Sequence, residues 1–358
     1  MIKNKIIWLG PMVSLDYINI IKAISPAANH WQSNFIDSLI NNKYDVTLVT
    51  YIPMRFWPIE QLWVKYPLSK QNINYTIISI SYLNLAFIRD IWISISLLKK
   101  IIKIGNCYKI ISYNPVFRHS LCATILQLFY KYIWISIIAD DKVKGKPNYS
   151  IFLSAGYYNS AVIKNKYLFE GGIKIKEIEV NSYNQTKVLL YAGSITKWTG
   201  IEDFIINYHN VLNDFDLELH IYGKGESKII SEIAKYNTKI KFIGYVDDNT
   251  LDKACRNAFA FINPRPLNVL NGDNNFPSKI LYYLSYTKPI LSTLTLGLSS
   301  DLSKILTLYN PSNDQDIIRC LELISDVGYY EKQTKILQNY ILQNTWDKKV
   351  EILLSKIF

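Results

Sequence analysis

Asn271 to Thr293 reads NGDNNFPSKILYYLSYTKPILST: a polar loop containing a glycine, a helix entered at Pro277-Ser278-Lys279, and an apolar strand opening at Pro289-Ile290-Leu291. Loop, helix and strand in that order form the repeating unit of a parallel α/β sheet. Its first turn has a chemical bias. A helix N-terminus carries free N–H groups and the positive end of the helix dipole, and here Ser278 adds a hydroxyl and Lys279 a charge. A lysine in a first turn is misplaced by about 0.3–1 kcal/mol unless an anion stands in front of it. Taken alone, the segment also fits an exposed lysine on a capped helix.

Moving outward, short apolar runs alternate with amphipathic stretches along the whole chain. Before the quoted segment lie strands expected at Lys187–Ala192, Leu217–Tyr222, Ile240–Ile243 and Ala258–Ile262, and within it Ile290–Ser292. The first half has its own series near Ile6–Leu9, Asp45–Thr50, Tyr75–Ile80, Lys109–Ser112, Trp134–Ala139 and Ser150–Leu153. Phe35, Leu39 and Ile40 mark one apolar helix face, and Ile91, Ile95, Leu98 and Ile102 another. The polar stretch from Glu170 to Thr186 reads as a linker, after which the pattern restarts. The expected fold is α/β with two Rossmann-like, doubly wound parallel-sheet domains, over 1–180 and 181–335. Residues 336–358 form a C-terminal helix crossing back to the first domain, with Leu337, Ile341, Trp346, Val350 and Leu353 on the apolar face of Tyr329–Phe358.

Composition agrees with two packed cores: 358 residues, 49% hydrophobic and 19% charged. The net charge of +11 favours anionic partners such as nucleotides, phospholipids or pyrophosphate-linked substrates. Lysines cluster only at Lys99-Lys100-Lys103 and at Lys142, Lys144 and Lys146, and no nucleic-acid-binding motif is present. Cys107, Cys122, Cys255 and Cys320 form no C-x-x-C pair and read as reduced thiols of a cytoplasmic protein. No targeting segment is evident. Leu121–Ala139 is broken by Gln127 and Lys131, against a membrane span.

Ligands of open parallel sheets sit beyond the carboxyl ends of the strands. Three loops there are conspicuous: Gly193-Ser194-Ile195-Thr196-Lys197-Trp198-Thr199-Gly200, Gly223-Lys224-Gly225-Glu226, and Asn263-Pro264-Arg265-Pro266, which leads to Asn274–Lys279. Each also fits an ordinary βα turn. Ser278 and Tyr282 share one side of the following helix, and Ile280, Leu281 and Leu284 supply its buried stripe.

In their order, Gly193 to Gly200, IYGKGE, IKFIGYV, NPR and FPSKILYYLSYTKPILST resemble the nucleotide-sugar-binding domain of GT-B glycosyltransferases of family 4, nearest to the O-antigen and capsular-polysaccharide subgroup. SPAANHWQSNFIDSL, WISIIADDK, IFLSAGYYN and LFEGGI are similar to that subgroup's acceptor domain. The resemblance spans nearly the whole chain. It implies a retaining transferase that moves a sugar from a nucleotide-diphosphate donor to a lipid-linked acceptor, without metal or cofactor, in the cytoplasm or on the inner face of the membrane. It places Gly193, Ser194, Asn275, Phe276, Pro277, Ser278 and Lys279 around the diphosphate, with Lys197 as a second counter-charge. Tyr245 would lie near the base and Arg265 toward the cleft. Many members carry two glutamates eight positions apart, where this chain has Asn274 and Tyr282; neither supplies a carboxylate. That departure leaves open a non-catalytic GT-B protein acting as a binding or scaffolding partner.

Asp140, after the strand Trp134–Ala139, stands either near the reacting centre or as the cap of a turn. His30, read in the loop after the first strand, is the other catalytic candidate. His119, His209 and His220 form no metal-ligand cluster, and Asp140-Asp141 and Asp247-Asp248 read as loop pairs. Phe87–Ile104 fits either a helix lying on an anionic membrane or a half-buried helix with its lysines in water.

Overall fold

The computed structural model describes residues 5–13, 25–65, 75–105, 109–140, 143, 145–176, 187–225, 228–267 and 274–358. The readings made on Cys107, Asp141, Lys142, Lys144, Glu226, 177–186 and 271–273 lie outside them. The chain forms two compact units: Met1–Leu153 with Tyr157–Gly171 and Trp346–Phe358, and Gly172–Thr345 with Ser154–Gly156.

The first unit is built on a seven-stranded sheet, all of its pairs parallel. Its strands are β1 (Lys5–Leu9), β2 (Asp45–Thr50), β4 (Thr76–Ser79), β6 (Lys109–Tyr113), β7 (Ile133–Ile138), β8 (Tyr149–Phe152) and β9 (Lys166–Leu168), in the order β4-β2-β1-β6-β7-β8-β9. Ile6, Ile7, Trp8 and Leu9 are all fully buried, as a central parallel strand covered on both faces requires. Trp8 and Phe35 belong to the core on one face, Ile7 and Leu9 to that on the other. A two-stranded antiparallel ribbon, β3 (Trp63–Val64) with β5 (Tyr82–Leu83), stands beside the sheet.

Helices cover both faces of this sheet. Helix α1 (Pro26–Asn41) is capped by Ser25 and clamps the turn after β1, where Asn29 accepts from the Val13 N–H and donates to its carbonyl, both at 3.0 Å. Helix α2 (Ile88–Ile104) buries Ile93, Leu97 and Ile101. Of the face read from the sequence, Ile91, Ile95, Leu98 and Ile102, only Leu98 packs half-buried against the core, and the other three are exposed, because two apolar stripes offset by two residues left either able to meet the sheet. Helix α3 (Phe117–Tyr130) lies beside α2. The last helix, Trp346–Ile357, packs on α1, with the Trp346 ring edge-on to Trp31 at 5.5 Å and Asp347 accepting from Ser38 Oγ at 2.7 Å.

The second unit repeats the plan with six strands. These are β10 (Val188–Ala192), β11 (Glu218–Tyr222), β12 (Ile240–Gly244), β13 (Ala260–Asn263), β14 (Ile290–Thr293) and β15 (Thr307–Tyr309), in the order β12-β11-β10-β13-β14-β15 and all parallel. The order reverses between β10 and β13, and loops leaving the carboxyl ends of those strands flank the crevice where ligands of such sheets bind. Among the described residues, no helix is long and apolar enough to cross a membrane, and Cys122, Cys255 and Cys320 are free and buried.

Candidate functional site

The loops after β10, β11 and β12 are tied together by backbone. The Gly193 N–H donates to Tyr222 O at 2.8 Å, Ile195 N–H to Lys224 O at 2.9 Å, and Gly223 N–H to Gly244 O at 2.8 Å. Gly223, at φ +142°, passes so close that a Cβ there would lie 1.9 Å from Gly193 O. That contact gives the Gly-x-Gly of residues 223–225 a structural reason. Tyr245 follows Gly244, 65% exposed, with the Lys224 ammonium 4.3 Å from its ring centre.

The Phe276–Lys279 turn meets this loop layer from the other side of β10. Ser278 N–H bonds to Phe276 O and Ile280 N–H to Pro277 O, each at 3.0 Å, and the helix runs Lys279–Leu284. Its inward face is Ile280, Tyr283 and Leu284, so Tyr283 takes the place expected for Leu281. The Tyr283 hydroxyl accepts from Ala192 N–H at 2.8 Å and donates to Ala192 O at 3.2 Å, while its ring stacks on Phe261 at 4.5 Å. Tyr283→Phe leaves both backbone groups at the end of β10 without that partner. It is expected to lower stability by about 1–3 kcal/mol, read as the urea midpoint.

One helical turn before Tyr283, Lys279 reaches the same strand end. Its Nζ donates to Tyr191 Oη at 2.5 Å, and Tyr191 in turn donates to Ser194 O at 2.7 Å. The lysine tail runs along Gly193, where an added Cβ would stand 2.2 Å from Cε and 2.5 Å from Nζ. Among the described residues Lys279 has no carboxylate partner. Burial, and secondarily the Arg265 charge, push its ammonium down to about 7. Two further polar atoms, Asn275 Oδ1 and Thr295 Oγ1, are buried without a hydrogen-bond partner.

The remaining expected residues are more dispersed. Ser194 and Ser278 are exposed, and Ser278 makes no capping hydrogen bond. Lys197 is exposed, its ammonium 4.7 Å from the centre of the adjacent Trp198 ring. Arg265 lines a pocket of about 400 Å³ formed with Gly200, Asp203, Tyr208 and Pro311. Asn274 is half-buried at the start of the turn. The Tyr282 hydroxyl is bonded to Tyr286 Oη at 2.8 Å, and Tyr286 donates to Asp252 at 2.9 Å, so a tyrosine-carboxylate chain occupies this position. Asp252 sits well below the usual carboxylate range: burial opposes this, and hydrogen bonds from Lys176, Arg256 and Tyr286 outweigh it.

In the first unit, Asp140 is exposed just beyond β7, and its charge, after burial, helps hold the Tyr113 phenol high. His30 lies on α1, exposed, and not in a loop: Pro26 at the first helical turn starts the helix earlier than the apolar pattern indicated. His119 is buried and pushed down to about 3 by desolvation. Asp247 caps the helix Asp248–Asn257, accepting from Asn249 and Thr250 N–H at 3.0 Å, so Asp248 is helical and not a loop residue. Among the described residues, no group of three or more His, Cys, Asp or Glu could hold a metal ion. Tyr191 and Tyr283 escaped the sequence reading. The second was within reach of it, since Tyr283 stands four residues after Lys279 and therefore on the same helix face.

Residues 186–324 match the family model described as glycosyl transferases group 1. No curated protein matches the chain in sequence. Among solved structures, sucrose-phosphate synthase from Thermosynechococcus elongatus is similar at 11% identity and a TM-score of 0.65, over 99% of this chain and 98% of that one. WaaG, a glycosyltransferase involved in lipopolysaccharide biosynthesis, is similar at 10% identity and a TM-score of 0.61, over 97% and 98%. HepE of Anabaena, in complex with UDP-glucose, aligns at 11% identity and a TM-score of 0.60, over 98% and 99%. At such identities the likeness is one of fold, the two Rossmann-like domains of GT-B proteins. The family match lies within the second unit, over residues 186–324.

Proposed function

We propose that the chain transfers a sugar from a nucleoside diphosphate donor, with retention and without a metal or other cofactor, to a lipid-linked acceptor in bacterial surface-polysaccharide synthesis. The observation that carries the donor half is the half-buried Lys279, whose ammonium lies against Gly193 at the switch point of the second sheet. In this reading the diphosphate lies over Gly193, Ser194 and the Phe276–Lys279 turn. Lys279 then stabilises the negative charge that develops as the sugar–phosphate bond breaks. Lys197 and Arg265 add charge at the rim, Tyr245 flanks the base, and Asn274 and Asn275 hydrogen-bond the sugar. Asp140 and His30 are the side chains assigned to the acceptor, and the first domain, 1–180, is assigned to bind it. Domain 181–335 is assigned to the donor, with 336–358 returning to the first domain, and the site of action is the cytoplasmic face of the membrane.

HepE crystallised with UDP-glucose, and a starch synthase of the same fold with ADP, which makes uridine and adenine nucleotides the first probes. A panel of nucleotide sugars tested by thermal shift and by nucleotide release is expected to give stabilisation and turnover with at least one donor. Stabilisation and turnover with none would favour the second reading, a non-catalytic binding or scaffolding partner. That reading draws on the absence of a carboxylate at both Asn274 and Tyr282 and on the commitment of the Tyr282 hydroxyl to Tyr286.

A further inference from the structure

We propose that the outer face of α2, together with the Arg55–Val64 segment packed at its start, docks onto an anionic phospholipid bilayer. A helix that lies on a sheet needs one apolar stripe, and α2 has two. Ile93, Leu97 and Ile101 fill the core, while Ile88, Ile91, Trp92 and Ile95 recur at three- and four-residue spacing on the side facing water, Ile91 at 53% exposure. The neighbouring segment adds Phe56, Trp57, Ile59 and Trp63, with Ile59 71% exposed.

The two pieces form one surface. Trp63 and Trp92 meet edge-to-face at 5.7 Å, and the Arg89 guanidinium sits 3.7 Å over the Phe56 ring while donating to Met54 O at 2.9 Å. The Asn84 amide donates to the Arg55 and Gln61 carbonyls at 2.6 and 3.0 Å, which fixes the segment from beneath. Between them Phe87, at φ +67°, is held 94% exposed in a conformation that non-glycine residues rarely take. Strained backbone of this kind clusters at functional sites.

Charge selects the occupant. The exposed ionic groups on the two pieces are Arg55, Lys99, Lys100 and Lys103, with Lys65 directly after the segment, against Glu60 alone, because Asp90 is paired with Arg118 at 2.7 Å. Lysines beside an apolar stripe, with three indole rings among the exposed side chains, match the boundary between anionic headgroups and acyl chains. The inference uses the first unit only and does not depend on the donor reading.

The test is sedimentation of the full chain with vesicles of phosphatidylethanolamine and phosphatidylglycerol, compared with phosphatidylcholine vesicles. Binding to the anionic vesicles is expected to be at least about tenfold tighter and to weaken with salt. Ile91→Ser with Ile95→Ser should lower it about tenfold or more, and Lys99→Glu with Lys100→Glu and Lys103→Glu should abolish the anionic preference. Circular dichroism and the melting temperature confirm that the variants fold. Equal sedimentation of wild type and variants, or indifference to lipid charge, would overturn the proposal. So would a dimer in sedimentation velocity that the isoleucine variants dissolve while no vesicles are bound, since the surface would then belong to a second copy.

Discussion

Lys279→Ala is expected to lose turnover by about 10²–10³-fold with every donor the protein accepts, while its melting temperature stays level or rises. The two effects have one cause. In the free protein Lys279 is half-buried beside Gly193 with no carboxylate partner among the described residues, and desolvation pushes its ammonium down to about 7. Removing a partly desolvated cation that lacks a carboxylate partner relieves the fold. The same removal leaves the leaving diphosphate without its nearest cation. Initial rates and thermal melts on one preparation check both halves; near-normal rates in the variant would remove Lys279 from the donor site.

Gly193→Ala should weaken nucleoside diphosphate binding by about tenfold or more. A Cβ there would stand 2.2 Å from Lys279 Cε, so the lysine must leave Tyr191 and point its ammonium into water. A lysine tail can move, so the loss of stability should come from the backbone alone, at φ +155°, and be smaller than at a site where the Cβ also meets backbone. Gly223→Ala is the control, because its Cβ would meet backbone, Gly193 O at 1.9 Å, at φ +142°. It is expected to cost about 1–3 kcal/mol in folding as well as binding. Urea unfolding and titration with UDP or ADP separate the two; equal destabilisation by both substitutions would contradict the placement of the lysine.

Much of the fold was legible because parallel strands buried on both faces leave continuous apolar runs, as in Trp8-Leu9 or Leu189-Leu190-Tyr191, and all eleven expected strands are present within a few residues. The pieces that escaped were short: the ribbon of Trp63–Val64 with Tyr82–Leu83, and the three-residue β9 and β15, which carry too few residues for a period. Helix α2 was found but turned over, since a helix with two apolar stripes offers periodicity no way to choose between them. At the candidate site the loop positions were readable from Gly193, Gly223 and Lys279. What was not readable was that Tyr191 and Tyr283 join the helix to the strand end. A buried tyrosine in an apolar run looks like core until its hydroxyl is seen to have a partner.

Lys279 also fixes the sign of a pH dependence. Above about 7 the free protein holds it largely as the neutral amine, and a bound diphosphate draws the proton back. Affinity should therefore be highest below that point and fall as pH rises from 7.5 to 9, a range in which phosphate monoester groups are already fully ionised. The direct measurement is calorimetric titration with UDP and with ADP at pH 8, in two buffers of different ionisation enthalpy. Uptake of close to one proton per nucleotide is expected for the wild type and none for Lys279→Arg, whose charge does not titrate there. Binding without proton uptake, at an affinity that does not change between pH 7.5 and 9, would contradict a diphosphate seated on Lys279.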